Sequence, residues 1–199
     1  MNHIGITYLY LLAGLGITAA SAEFPLYSKS LPASIAEFLG SLVILFMILY
    51  QRPGPIKVVL AIAFAVLIGQ SMASVVNDLE SKQLLRTVLV TVAGIFLGMT
   101  AAGFYDTNSF LGLGGYLLAA LVGLIIARIG LLLLAKPEDM SRGNTIFSWV
   151  GTVLFSVYIA YDTQSLKYTS RKNPDYINNS LGLFLDVVNL FNNVEDLYT

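Results

Sequence analysis

Seven mainly apolar stretches, each about as long as a helix needs to cross a bilayer, fill most of this 199-residue chain. A span takes roughly 20 consecutive, predominantly apolar residues. The stretches run from Ile4 to Ala22, Ala33 to Tyr50, Ile56 to Val76, Leu84 to Ala102, Leu111 to Ala135, Thr145 to Leu166 and Tyr176 to Val194. Soluble domains average about 25% charged residues, whereas this chain has 12% charged and 56% hydrophobic. The reading is an all-α, polytopic membrane protein. None of the connections is long enough for a soluble domain, so residues 1–199 are expected to form a single seven-helix transmembrane domain with the lipid bilayer as its first partner.

The connections carry helix breakers: Pro25 and Pro32 after the first span, Arg52-Pro53-Gly54-Pro55 after the second, and Lys136-Pro137-Glu138-Asp139 after the fifth. Ala20-Ser21-Ala22 resembles a signal-peptidase site, but no Lys or Arg precedes the apolar stretch and more membrane follows it, so the first span is read as retained. The positive-inside rule divides the basic residues evenly between the two sides. The densest basic connection, Lys167 to Lys172, favours placing that loop and the N-terminus in the cytosol. On this topology the sequon Asn178-Asn179-Ser180 is not expected to be used.

Several function classes are disfavoured. Net charge is −1, with no basic block able to neutralise a row of phosphates, so nucleic acid is not an expected partner. The chain has no cysteine and one histidine, His3, which disfavours thiolate chemistry, Cys-based metal sites and histidine triads. Gly112, Gly114 and Gly115 lack dinucleotide-binding spacing, and close helix packing is the better reading. Gly94 and Gly98 form a GxxxG, and Gly115, Ala119, Gly123, Ala127 and Gly130 stripe the fifth span. Both patterns predict close backbone approach.

Chemistry is to be sought among the acids inside spans, because a carboxylate at bilayer depth costs about 2.5–3.5 kcal/mol on insertion scales and marks function. In the last span Asn179, Gly182, Asp186, Asn189 and Asn193 recur at spacings of three and four, which is one helix face. Lipid cannot satisfy such a face, so the seventh helix is predicted to be enclosed, with Asn179, Asn189 and Asn193 lining a hydrated crevice. An amphipathic surface helix is the plainer alternative, but the polar face lacks Lys and Arg and the apolar residues wrap too far round.

In the sixth span Ser148, Thr152 and Ser156 line one face ahead of Asp162. Such hydroxyls can bond to the backbone one turn back, so the aspartate is the informative residue. A short loop makes the sixth and seventh helices antiparallel neighbours, which lets Asp162 approach Asp186. Two carboxylates in a partly desolvated site cannot both ionise easily and titrate as a unit. Deprotonated, they offer hard oxygens suited to Ca²⁺; structural hydrogen bonding between helices is the bland alternative. Glu37 is either an interfacial snorkeller or functional, and Arg128 reads as a snorkelling or buried partner rather than a gate.

Tyr158-Ile159-Ala160-Tyr161-Asp162-Thr163-Gln164, then Asp175-Tyr176-Ile177 and Leu183-Phe184-Leu185-Asp186-Val187-Val188-Asn189-Leu190-Phe191, resembles the C-terminal signature of the transmembrane Bax inhibitor motif family. Gly98-Met99-Thr100 and Pro137-Glu138-Asp139-Met140-Ser141 extend the likeness over nearly the whole chain. The resemblance implies a seven-helix bundle with the C-terminal helix central, and a pH-sensitive calcium leak in which Asp162 and Asp186 are the sensing pair. Ile35-Ala36-Glu37 resembles the family's glutamate on the second helix, which works with an arginine at that helix's far end as a latch. Arg52, the nearest arginine, comes about one turn later than that pattern expects.

The functional expectation is therefore a pH-sensitive calcium or cation leak channel, not an enzyme. Calcium is its permeant ion and no cofactor is needed. A link to stress or cell-death regulation is implied by the resemblance. The membrane is expected to be endoplasmic reticulum or Golgi in a eukaryotic or viral setting and plasma membrane in a bacterial one. An intramembrane aspartyl protease is the alternative from another class, since paired carboxylates suit acid–base work. Against it, Leu185 stands where Gly-x-Gly-Asp needs its second glycine and no Pro-Ala-Leu follows. A non-conducting membrane adaptor is the third reading.

Overall fold

The computed structural model describes residues 3–24, 31–105, 109–168 and 175–199, without the side chains of 31–33 and 137. Among them are seven α-helices: α1 (His3–Glu23), α2 (Leu31–Tyr50), α3 (Pro55–Ser81), α4 (Leu85–Tyr105), α5 (Gly114–Leu134), α6 (Pro137–Leu166) and α7 (Tyr176–Tyr198). A single 3-10 turn, Leu111–Leu113, leads into α5. Pro25 and the Arg171-Lys172 end of the basic connection lie outside the described residues.

The chain is an all-α polytopic membrane protein. Five helices (α1, α3, α4, α5 with its leading turn, and α6) are long and apolar enough to cross a bilayer, and α2 adds a shorter apolar stretch, Ser34–Tyr50. Their outer faces show the inversion that lipid permits: Leu118, Ile126, Leu132 and Leu133 of α5 and Trp149 and Val153 of α6 are exposed. Helix α7 is different. Only Asn192 and Tyr198 along it are exposed, in keeping with the enclosure predicted from its asparagines.

The helix bounds differ from the sequence expectation most at α6, which starts at Pro137 rather than near Thr145. The supposed breaker is a helix start. Proline lacks only an N–H that the first turn leaves unbonded anyway, and Glu138 and Asp139 in that turn suit the positive end of the helix dipole. Pro55 opens α3 in the same way.

The helices cluster into two compact units. The first comprises Met1–Gln83 and Ser170–Phe184, the second Leu84–Thr169 and Leu185–Thr199. In the first unit α1 and α2 each pack on α3. Gln70 of α3 donates to the carbonyls of Ser21 (2.6 Å) and Phe24 (3.2 Å). Thr18 and Ser21 of α1 donate to the carbonyls of Ala65 (3.1 Å) and Val66 (2.9 Å). This approach needs glycine at position 69, where a Cβ would collide with the Thr18 carbonyl. A cavity beside the same pair is lined by Leu11, Phe64, Ala65, Ile177 and Phe184.

In the second unit α4 and α5 both pack on α6. A Cβ at Gly103 of α4 would fall 2.5 Å from the Ala160 carbonyl of α6. Of the glycines singled out from sequence only Gly114 makes a close approach, to the Tyr161 ring of α6, whereas Gly94, Gly98, Gly112, Gly115, Gly123 and Gly130 meet nothing within 4 Å. Spacing marks a face smooth enough for approach, but a neighbour must be there, and the tightest approaches fall at glycines 69, 103, 114, 143 and 151.

Candidate functional site

The second unit contains two of the three acids that the sequence singled out, Asp162 and Asp186. Helix α6 carries Ser148, Thr152 and Asp162 on its inward side, with Ser148 and Thr152 buried, while Ile146, Trp149, Val150 and Val153 point outward. A four-residue spacing puts Ser148 and Thr152 on one face. Ser156 donates to the Thr152 carbonyl at 2.6 Å, the backbone bonding expected of a membrane hydroxyl. The Thr152 hydroxyl is buried without a hydrogen-bond partner among the described residues.

Asp186 on α7 is 6% exposed and feels the charge of Asp162. Its Oδ2 is buried and has no hydrogen-bond partner among the described residues. Tyr158, one turn before Asp162 on α6, feels the charge of both aspartates. The result is a three-membered cluster of ionisable side chains from two helices. Tyr158 was not singled out from sequence, although its i, i+4 relation to Asp162 was the available signal.

The polar stripe of α7 divides between the units. Asn179 belongs to the first, where its Nδ2 is buried without a partner among the described residues. Asn189 and Asn193 belong to the second. Asn189 donates to the Leu185 carbonyl at 2.8 Å and Asn193 to the Asn189 carbonyl at 2.6 Å, so both amides are turned along their own helix. Asn193 also accepts from Arg128 of α5 at 2.7 Å, so Arg128 is hydrogen-bonded to the stripe while its side chain stays partly exposed.

Glu37 and Arg52 lie in the first unit. Glu37 is buried in α2, and Arg52 is exposed just past that helix's C-terminus. At about 1.5 Å per residue the two stand roughly 20 Å apart along the axis.

No cluster of three or more His, Asp or Glu side chains that could hold a metal occurs among the described residues. Calcium takes six to eight oxygen ligands. Two carboxylates alone supply fewer than that number.

The first unit holds a charged site that sequence reasoning missed. Lys57, in the first turn of α3, is completely buried, and its Nζ lies 2.5 Å from Asp175 Oδ2 and 3.0 Å from the Gln51 carbonyl. Asp175 Oδ1 accepts from the backbone N–H of Asn178 at 3.1 Å, capping the start of α7. One aspartate therefore ties together the α2–α3 turn, a buried cation and the beginning of the polar helix.

The sequence matches known proteins over most of its length. The family model described as "Inhibitor of apoptosis-promoting Bax1" matches residues 1–197. Protein lifeguard 4 of Mus musculus is 33% identical over 184 residues, covering 87% of this chain and 74% of the mouse protein. Bax inhibitor 1 of Schizosaccharomyces pombe is 30% identical over 159 residues, 79% of this chain and 58% of the yeast protein. The Golgi anti-apoptotic protein of Vaccinia virus (strain Lister) is 28% identical over 193 residues, 94% of this chain and 78% of the viral protein.

Proposed function

The chain belongs to the family described as inhibitor of apoptosis-promoting Bax1, and from its membership and the acidic cluster on α6 and α7 we propose that it is a pH-sensitive leak path for calcium and other cations, gated by Asp162 and Asp186. The observation that carries this reading is the buried Asp186 carboxylate, which faces the charge of Asp162 while one of its oxygens has no partner among the described residues. A buried acceptor in that condition is costly unless water, a proton or a cation visits it.

The mechanism follows from two like charges sharing a poorly hydrated place. When a proton bridges the carboxylates, α6 and α7 are held together at that level and the stripe stays closed. As pH rises and the proton leaves, two negative charges repel, water enters to solvate them, and the freed oxygens can exchange for part of a calcium ion's shell. Flux therefore increases with pH. No bond is made or broken, so the reading assigns the pair no catalytic role.

The test is calcium uptake into liposomes holding the purified chain, measured across a pH series. Asp162→Asn and Asp186→Asn are each expected to flatten the pH dependence, because an amide cannot exchange the proton. Unchanged flux and unchanged pH dependence in both variants would remove the pair from gating.

The names of the relatives support a second, cellular reading, regulation of cell death at an internal membrane such as the Golgi. Its assay is survival of cells expressing the chain under an apoptotic stimulus. Protection that depends on both aspartates joins the two readings, whereas protection retained by the doubly neutralised chain favours an adaptor that binds partners.

A further inference from the structure

Within the second unit, the C-terminal end of the α7 stripe is occupied by a fixed cation. Arg128 Nη2 of α5 donates to Asn193 Oδ1 at 2.7 Å and to Ser148 Oγ of α6 at 3.2 Å. Ser148 Oγ in turn donates to Asp196 Oδ2 of α7 at 2.8 Å, and the same oxygen lies 3.7 Å from Arg128 Nη2. Three helices thus meet on one guanidinium.

Two details set this network apart from an ordinary ion pair. Both polar atoms of Asn193 are engaged, Oδ1 by Arg128 and Nδ2 by the Asn189 carbonyl, so the amide oxygen that a passing ion would meet already faces a cation. The seat of Asn193 is also made by an absence: a Cβ at Gly151 of α6 would collide with the Asn193 amide. The Arg128 and Asp196 side chains are 39% and 36% exposed, and pairs so open to water add little stability. What the network does is place a positive charge, and an arginine placed on a polar path is an electrostatic barrier to cations.

We propose that Arg128 is a charge lock on the cation route, held over Asn193 by Asp196 and Ser148, and that the route opens at this end only when Arg128 lets go of Asn193. The lock rests on reading the α7 stripe as a cation route. It is separate from the aspartate pair: Asp162 and Asp186 respond to protons, whereas the lock is set by the fit between α5, α6 and the end of α7.

The chain has no cysteine, so Leu132→Cys on α5 and Asn192→Cys on α7, both exposed positions, can carry spin labels without a background. The labelled full chain is placed in phosphatidylcholine vesicles with a minor fraction of phosphatidylglycerol, and calcium uptake and the label-to-label distance distribution are read on the same sample. Arg128→Gln and Asp196→Asn are expected to raise resting uptake about tenfold, the factor set by ~1.4 kcal/mol lost from the closed state, and to broaden the distribution. The exchange pair Arg128→Glu with Asp196→Arg is expected to restore both readouts. Gly151→Ala, which touches no charge, is expected to move them in the same direction as Arg128→Gln by unseating Asn193. Uptake that still depends on Asp162 and Asp186 but is unaltered by Arg128→Gln and Gly151→Ala would overturn the lock and leave the route intact. Absence of uptake in every variant, with the distribution shifting in Arg128→Gln and reverting in the exchange pair, would overturn the route and reduce Arg128 to a clamp between helices.

Discussion

Removing Asp175 should damage this protein far more than removing the lysine it pairs with. Lys57 is completely buried, while Asp175 keeps 27% of its side chain in contact with solvent and spends one oxygen capping α7. Asp175→Ala strands a buried ammonium, which costs about 3–5 kcal/mol when a buried pair loses one member. It also deletes a helix cap, worth ~1 kcal/mol, so the total is about 4–6 kcal/mol. Lys57→Met keeps the apolar stem and leaves a partly hydrated carboxylate whose cap survives. Replacing a buried ion-pair member by an apolar group of similar volume, with the partner still wet, should cost no more than ~1 kcal/mol. Asp175→Asn keeps the capping oxygen and loses the charge, so its cost should fall about 1 kcal/mol below that of Asp175→Ala. The assay is equilibrium unfolding of the purified chain in mixed micelles, followed by helical circular dichroism. Equal costs for Asp175→Ala and Lys57→Met, or a cost under ~1 kcal/mol for Asp175→Ala, would refute the reasoning, because either result means that Lys57 is not a desolvated cation dependent on one partner.

Two further predictions concern the backbone. Gly69→Ala should destabilise the α1–α3 pair by ~1–3 kcal/mol through overpacking, whereas Gly94→Ala, exposed and with nothing within 4 Å, should gain about 0.5 kcal/mol from helix propensity; the same unfolding measurement checks both, and equal effects would reject the packing assignment. Gln83, after α3, has φ of 58°; moving it to glycine relieves a left-handed cost of ~1–2 kcal/mol against ~0.5–1 kcal/mol of added chain entropy, for an expected gain of about 0.5–1 kcal/mol.

Much of the architecture was legible because membrane constraints act along the chain. Each span had to supply its own hydrogen bonds and apolar length, so the helices begin and end within a few residues of the apolar stretches, α6 excepted. There a proline and two acids read as a loop and proved to be a well-formed helix start. Asp162 and Asp186 were legible as acids on consecutive helices, and both fall in the second unit; the asparagine face of α7 announced that helix's burial.

Membrane class and helix periodicity were thus decided locally, by the polarity of neighbouring positions on single helices. Partners were decided only by tertiary packing. Lys57 meets an aspartate 118 positions away, Arg128 meets Asn193 at a separation of 65, and the glycines at 69 and 103 lie against carbonyls of other helices rather than in the GxxxG pattern. A side chain's polarity states that it needs a partner, but which partner it finds depends on how distant segments share space, and no single helix carries that information.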